Sequence, residues 1–138
     1  MILPDTNILI AYFNDYKPVT TLLDPAIEEK QLLLSIIAVG EFLVKATVEE
    51  EKAVDQMIAK MGVIPIDRGV MDQAVRLRKQ VLRKTKRTHL LDCFIAATAK
   101  VYGATLLTFD RNDYPFRDIA VRQPEDLKKR RKTKSSKV

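Results

Sequence analysis

The chain has 138 residues, 46% hydrophobic and 30% charged, with a formal net charge of +6, a composition suited to one globular domain with its own core. No apolar run approaches the ~18–20 residues needed to cross a bilayer, and no basic region precedes the apolar start as in a signal peptide. The single cysteine, Cys93, excludes an internal disulfide and a Cys-rich zinc site, so a reducing, cytoplasmic setting is expected.

In chain order, Ile2-Leu3 reads as a short buried strand and Asn7 to Asn14 as a short helix. Pro18 suits the first turn of the next helix, and Asp24-Pro25 is expected to cap a second start into AIEEK. QLLLS at 31–35 reads as a strand, with Ser35 placed to cap a helix over IIAVGEFLVKAT. Residues 49–61 open with acids and carry Ala53, Met57, Ile58 and Met61 on one face, an amphipathic helix with a favourable dipole arrangement. VIPI at 63–66 reads as an edge strand because of Pro65.

A long helix is expected from about Gly69 to Lys84, striped by Val70, Ala74, Leu77 and Val81. The Ala-rich HLLDCFIAATAKVYG is a helix stopped by Gly103. ATLLTF at 104–109 is a strand, DRNDY a turn, and IAV at 119–121 a last weak strand. Apolar strands separated by helices predict a three-layer α/β/α sandwich on a mainly parallel central sheet, with ligands at the carboxyl ends of its strands.

The basic excess is uneven. After Asp126 the chain reads LKKRRKTKSSKV, with seven Lys or Arg and no acid, whereas residues 1–127 hold seventeen basic against eighteen acidic residues. A domain at 1–127 and a basic tail at 128–138 are expected. The tail reads either as a solubilising terminus or as an arm that neutralises phosphates through residues such as Lys128, Lys129, Arg130 and Arg131.

Four acids stand where apolar residues would be expected. Asp5 and Asp110 fall at predicted carboxyl ends of strands, while Glu41 interrupts IIAVGEFLV and Asp92 interrupts HLLDCFIAATA. Glu41 shares a helical face with Ile37 and Val44, and Asp92 with Ile95, Ala96 and Ala99. Local explanations exist: Asp5 or Asp110 as a cap, or Glu41 paired with Lys45 one turn on. An unpaired buried carboxylate is expensive, however, and a parallel sheet can bring all four to one edge. With no matching buried Lys or Arg, a divalent cation would relieve their repulsion, and an all-oxygen donor set suits Mg2+ or Mn2+.

The order DTNILI, AVGEF, LLDCFIAATA and TLLTFDRNDY resembles the PIN domain family of metal-dependent ribonucleases over roughly residues 1–121. Within it, the chain is most similar to the VapC-type toxins of toxin–antitoxin pairs. The resemblance implies that Asp5, Glu41, Asp92 and Asp110 are catalytic and hold one or two Mg2+ or Mn2+ ions. It adds Asp113 as a fifth metal-binding acid, with Thr6, Asn7 and Thr108 in support. TFDRNDY departs from the commoner TRNxxDF form, which leaves the division of labour between Asp110 and Asp113 open. The implied reaction is hydrolysis of RNA to 5′-phosphate and 3′-hydroxyl ends, and the implied partners are a small antitoxin and a second copy of the chain. Helix surfaces around Leu22-Leu23 and Met57-Ile58 are candidates for those contacts. A housekeeping RNA-processing nuclease, or a non-catalytic RNA-binding module using the tail, remain alternatives.

Three further residue groups have simpler assignments. His89 reads as a helix-start residue and Cys93 as a small core residue. RLRKQVLRKTKRTH supplies Arg76, Arg78, Lys79, Arg83, Lys84, Lys86 and Arg87, either a solvated helix face or a guide for the RNA backbone.

Overall fold

A computed structural model describes residues 1–84 and 88–127. β1 (Ile2–Pro4) leads directly into α1 (Thr6–Phe13), and α2 (Lys17–Glu28) follows after a short turn. Next come α3 (Ile36–Leu43), α4 (Val48–Met61), α5 (Arg68–Val81) and α6 (Leu90–Val101). β2 (Thr105–Leu107), a 3₁₀ turn at Arg111–Asp113 and β3 (Val121–Arg122) complete the described elements.

The three strands pair in the order β1-β2-β3. Both pairings are parallel, with Pro4 opposite Leu107 and Leu107 opposite Arg122. Parallel pairing aligns the carboxyl ends of all three strands, and helices pack around the sheet in the α/β/α arrangement expected. Leu3 on β1 and Leu106 and Leu107 on β2 are fully buried, in a core shared with Ile8, Leu23, Leu77 and Ile95.

The stripe Val70, Ala74, Leu77 and Val81 is buried along α5 as predicted, and that helix makes its main contact with α6. Ser35 caps α3 by accepting from the N–H groups of Ile37 and Ala38. Thr47 and Glu50 close a reciprocal capping box at the start of α4. α6 ends where Gly103 takes φ +63, a conformation that costs a residue with a Cβ.

Three local expectations need correction. Pro25 does not open a new helix: α2 runs through it from Lys17 to Glu28, and Asp24 instead accepts the Tyr12 hydroxyl at 2.6 Å. A proline forfeits one helical hydrogen bond, but packing of Leu22, Leu23 and Ala26 carries the helix past it. The strands expected at 31–35 and 63–66 shrink to isolated parallel bridges, Ile2 with Leu32 and Ser35 with Ile64. Pro65 cannot donate to a ladder, and Ser35 is already turning the chain into α3. Leu22 and Leu23, considered as partner contacts, are buried in the chain's own core.

Leu106 lies in the middle strand with no exposed surface. Leu106→Ala should therefore cost about 2–5 kcal/mol of folding stability in urea denaturation. A loss below about 1 kcal/mol would mean that β2 is not the centre of the core.

Candidate metal and catalytic centre

The centre is built where β1 and β2 end. Asp5 follows the last residue of β1 and donates its N–H to Leu107 O at 2.9 Å. Only 8% of Asp5 is exposed. Its Oδ1 accepts the Thr6 N–H at 2.8 Å, capping α1, and its Oδ2 accepts the Thr108 hydroxyl at 2.8 Å. The cap reading of Asp5 is therefore correct, and it holds the carboxylate in one orientation across two strand ends.

The remaining groups join this pair through side chains. The Thr6 hydroxyl donates to Glu41 Oε1 at 2.9 Å, bringing α3 to the site. Glu41 is exposed and makes no ion pair with Lys45 among the described residues. Asn7 donates through Nδ2 to Asp110 Oδ2 at 3.1 Å, and the Asp110 N–H donates to the Thr108 hydroxyl oxygen at 3.1 Å. Asp92 lies in the first turn of α6, half-buried, and accepts the His89 N–H at 3.0 Å.

Burial raises the Asp5 carboxyl above the usual carboxylate range; hydrogen bonds from Thr108 and Thr6 oppose this, and the Asp92 charge adds to it. Burial likewise raises Asp92, against the His89 N–H, while Asp113 and Glu41 repel its charge. Asp92 thus lies within electrostatic reach of Asp5, Glu41 and Asp113. Asp113, rather than Asp110, is the acid of the 110–113 turn that repels Asp92. Asp110 is exposed and tied to Asn7.

Two residues that sequence reasoning missed organise this space. Tyr114 is 97% buried, and its hydroxyl completes no well-aligned hydrogen bond. Burial, the charges of Asp5, Asp92 and Glu41, and a loosely aligned hydrogen bond to Asp5 all push that phenol up, so its oxygen lies beside the Asp5 carboxyl. Thr88, fully buried, donates its hydroxyl to Asp113 O at 2.8 Å and ties the turn to the start of α6. No sequence signal marks that bond, because its partners are twenty-five residues apart.

Among the described residues, no three Asp, Glu, His or Cys side chains are drawn together as a finished ligand set. Asp5, Glu41, Asp92 and Asp110 each accept a hydrogen bond of their own instead. The donor chemistry nonetheless fits a hard cation: every group is an oxygen, and the two innermost carboxyls are disfavoured as anions.

A family model for the PIN domain matches residues 2–121. The chain belongs to the PIN domain family. No significant match is found among curated proteins. Among solved structures, it is similar to a toxin–antitoxin complex from Klebsiella pneumoniae at 26% identity and TM-score 0.71, covering 90% of this chain and 98% of that one. FitAcB from Neisseria gonorrhoeae is also 26% identical, with TM-score 0.68 and coverage of 91% and 99%. VapBC2 from Rickettsia felis, bound to a promoter DNA fragment, shares the fold at 18% identity and TM-score 0.74, over 89% of this chain and 98% of that one. PIN domains are generally nucleases that use divalent metal ions.

Other residues of this PIN domain occupy less active surroundings. Cys93 is fully buried, and its thiol is pushed up to about 11 by that burial, so it is a quiet core residue. His89 stands at the start of α6. Arg76, Lys79, Arg83 and Lys84 are exposed on or just beyond α5. Arg78 differs: one guanidinium nitrogen is buried without a partner, close enough to Cys93 to influence its thiol. Lys86, Arg87 and the tail residues Lys128, Lys129, Arg130 and Arg131 lie outside the described residues.

The raised Asp92 carboxyl has a consequence for stability. A carboxyl whose folded pKa exceeds its unfolded value adds stability at low pH, and that stability is lost as pH rises through the folded value. Metal-free Asp92→Asn should therefore melt above wild type at pH 7, by roughly 2–4 °C, with the gap closing toward pH 3. A wild-type protein at least as stable as Asp92→Asn at pH 7 would contradict the electrostatic picture.

Proposed function

We propose that this PIN domain is a Mg2+- or Mn2+-dependent endoribonuclease and the toxin of a VapBC-type pair. The observation that carries the reading is that Asp5 and Asp92, both raised by burial, lie within electrostatic reach of each other at one end of a parallel sheet, with Glu41 and Asp113 beside Asp92 and the buried Tyr114 hydroxyl beside Asp5. Similarity above 25% identity to toxin–antitoxin proteins, over nearly the full length of both chains, supports the toxin role. A small antitoxin and a second copy of the chain are the proposed partners, and the cytoplasm is the proposed setting. No helix among the described residues is long and apolar enough to cross a membrane.

In this reading Asp5 and Asp92 are the principal ligands of one or two divalent ions, with Glu41, Asp110 and Asp113 completing the acidic set. A bound divalent ion supplies Lewis acidity, which makes hydroxide available near neutral pH and stabilises charge on the phosphoryl and leaving oxygens. The chain's own residues set the geometry. Thr108 and the Thr6 N–H hold both Asp5 oxygens, the Thr6 hydroxyl steers Glu41, and Asn7 restrains Asp110. Tyr114, buried beside Asp5, adds to the low-dielectric surroundings of that carboxyl, where its attraction for a cation is stronger. No histidine base is required. A flanking 1–127 domain and 128–138 arm fit the same scheme, the arm adding electrostatic affinity for RNA.

Cleavage of a mixed RNA pool tests the reading. Wild type should cut in Mn2+ and stop when a chelator is added. Asp5→Asn and Asp92→Asn should lose roughly 100-fold or more, since even groups that only support a metal ligand are commonly worth 10–100-fold. Equal cutting by all three proteins would remove the activity from these residues. Expression of wild type, but not of Asp92→Asn, should arrest growth of a bacterial host; growth unaffected by an active enzyme would favour the RNA-processing alternative.

A further inference from the structure

An acidic centre that cuts RNA must hold a polyanion close to its own negative charge. The body of the chain gives little general help, because residues 1–127 are nearly neutral. Beside the centre, however, a cleft of about 480 Å³ runs between the 111–117 segment and the end of β3. Arg111, Asn112, Arg117 and Arg122 line it, with Tyr114 and Phe116 among its apolar walls, and no acid lines it.

The position follows from the sheet. Arg122 stands opposite Leu107, and Leu107 opposite Pro4, so the cleft lies at the strand ends that present Thr108 and Asp5. Thr108 N–H donates to Arg122 O at 3.0 Å, which locks the edge of the cleft to the centre. Tyr114 belongs to both: it is one of the residues lining the cleft, and its hydroxyl lies beside Asp5.

The arginines are also available. Arg117 is exposed and makes no ion pair among the described residues. Arg111 reaches Asp126 only at 3.9 Å, in a loose exposed pair. Arg122 donates to Val121 O through one nitrogen, leaving most of its five donors unused. Planar guanidinium groups match phosphate oxygens two at a time. On α5, Arg68 is paired with Asp72 and Arg78 is partly buried, whereas Arg76 and Lys79 are exposed and serve as the comparison surface.

We propose that this arginine-lined cleft is a binding site for the phosphodiester backbone of single-stranded RNA, with Arg117 and Arg122 as its principal phosphate ligands. The proposal rests on reading the acidic centre as a ribonuclease site. Contacts of this type position the strand without reading its bases.

The test is fluorescence anisotropy with a labelled, mixed-sequence single-stranded RNA and the full chain, in chelator so that nothing is cut. Arg117→Gln/Arg122→Gln should bind about tenfold more weakly near 0.1 M salt and flatten the plot of log affinity against log salt by roughly 1.4, at about 0.7 per phosphate contact. Mn2+ affinity by calorimetry should be unchanged. Arg76→Gln/Lys79→Gln should change RNA affinity less than twofold. Arg117→Gln alone, on an exposed turn, should show half the salt effect should the double variant fold poorly. Wild-type affinity and slope in Arg117→Gln would overturn the proposal, as would an equal loss in the α5 pair. A variant that keeps RNA binding but loses binding to polyglutamate would assign the cleft to an acidic protein segment and overturn it too. The nuclease reading fails separately: intact RNA binding through the cleft with no Mn2+-dependent cutting by wild type would remove the activity and leave the cleft.

Discussion

An ionised carboxylate held at the end of a buried parallel strand is a costly group, and the Asp5 side chain is such a group. Two hydrogen bonds, from the Thr6 N–H and the Thr108 hydroxyl, fix both its oxygens without neutralising its charge. Desolvation still outweighs those bonds and raises its pKa. Asp92 approaches from α6 under the same penalty. The fold therefore concentrates negative charge that its own donors do not balance. A site of this kind is poised for a cation, and it sits where open parallel sheets generally bind their ligands.

The surrounding architecture serves that concentration. β1 and β2 supply the platform, α1 begins at Asp5 itself, and α3 and α6 each deliver an acid from a helix facing the strand ends. The 108–114 segment does three things at once. Thr108 braces Asp5, Asp113 repels Asp92, and Tyr114 places its hydroxyl beside Asp5 while also lining the cleft that carries the arginines. Acid and base are thus segregated along a single stretch of chain: carboxylates toward α6, guanidinium groups toward β3. Such segregation lets one surface attract a polyanion next to a pocket that repels it.

Much of this was legible in the residues because burial leaves periodic marks. The α5 stripe repeats at helical spacing from Val70 to Val81, and the structure buries all four of its members. The Ser35 cap and the Gly103 stop are local devices with local signals. Asp5 and Asp92 stood out since a charge amid apolar neighbours violates the same pattern. What escaped was non-local or too short to be periodic. The segments 31–35 and 63–66 have the composition of strands, but each finds only a single bridge. Pro25 looked like a boundary, yet tertiary packing on both sides of it overrode the local preference. Thr88 and Tyr114 carry no motif, and their importance lies in contacts across the fold. The segment 110–113 holds two aspartates that spacing alone does not separate; in the fold it is Asp113 whose charge bears on Asp92, while Asp110 is tied to Asn7.

The central claim is that the inner carboxylates, separately bonded in the metal-free protein, share a cation when one is offered. Anomalous diffraction at the manganese edge from crystals grown with Mn2+ tests it most directly. The account predicts a strong peak between the Asp5 and Asp92 carboxylates, bordered by Glu41 or Asp113. Fully loaded crystals with no peak there, and with manganese held only elsewhere on the surface, would contradict it.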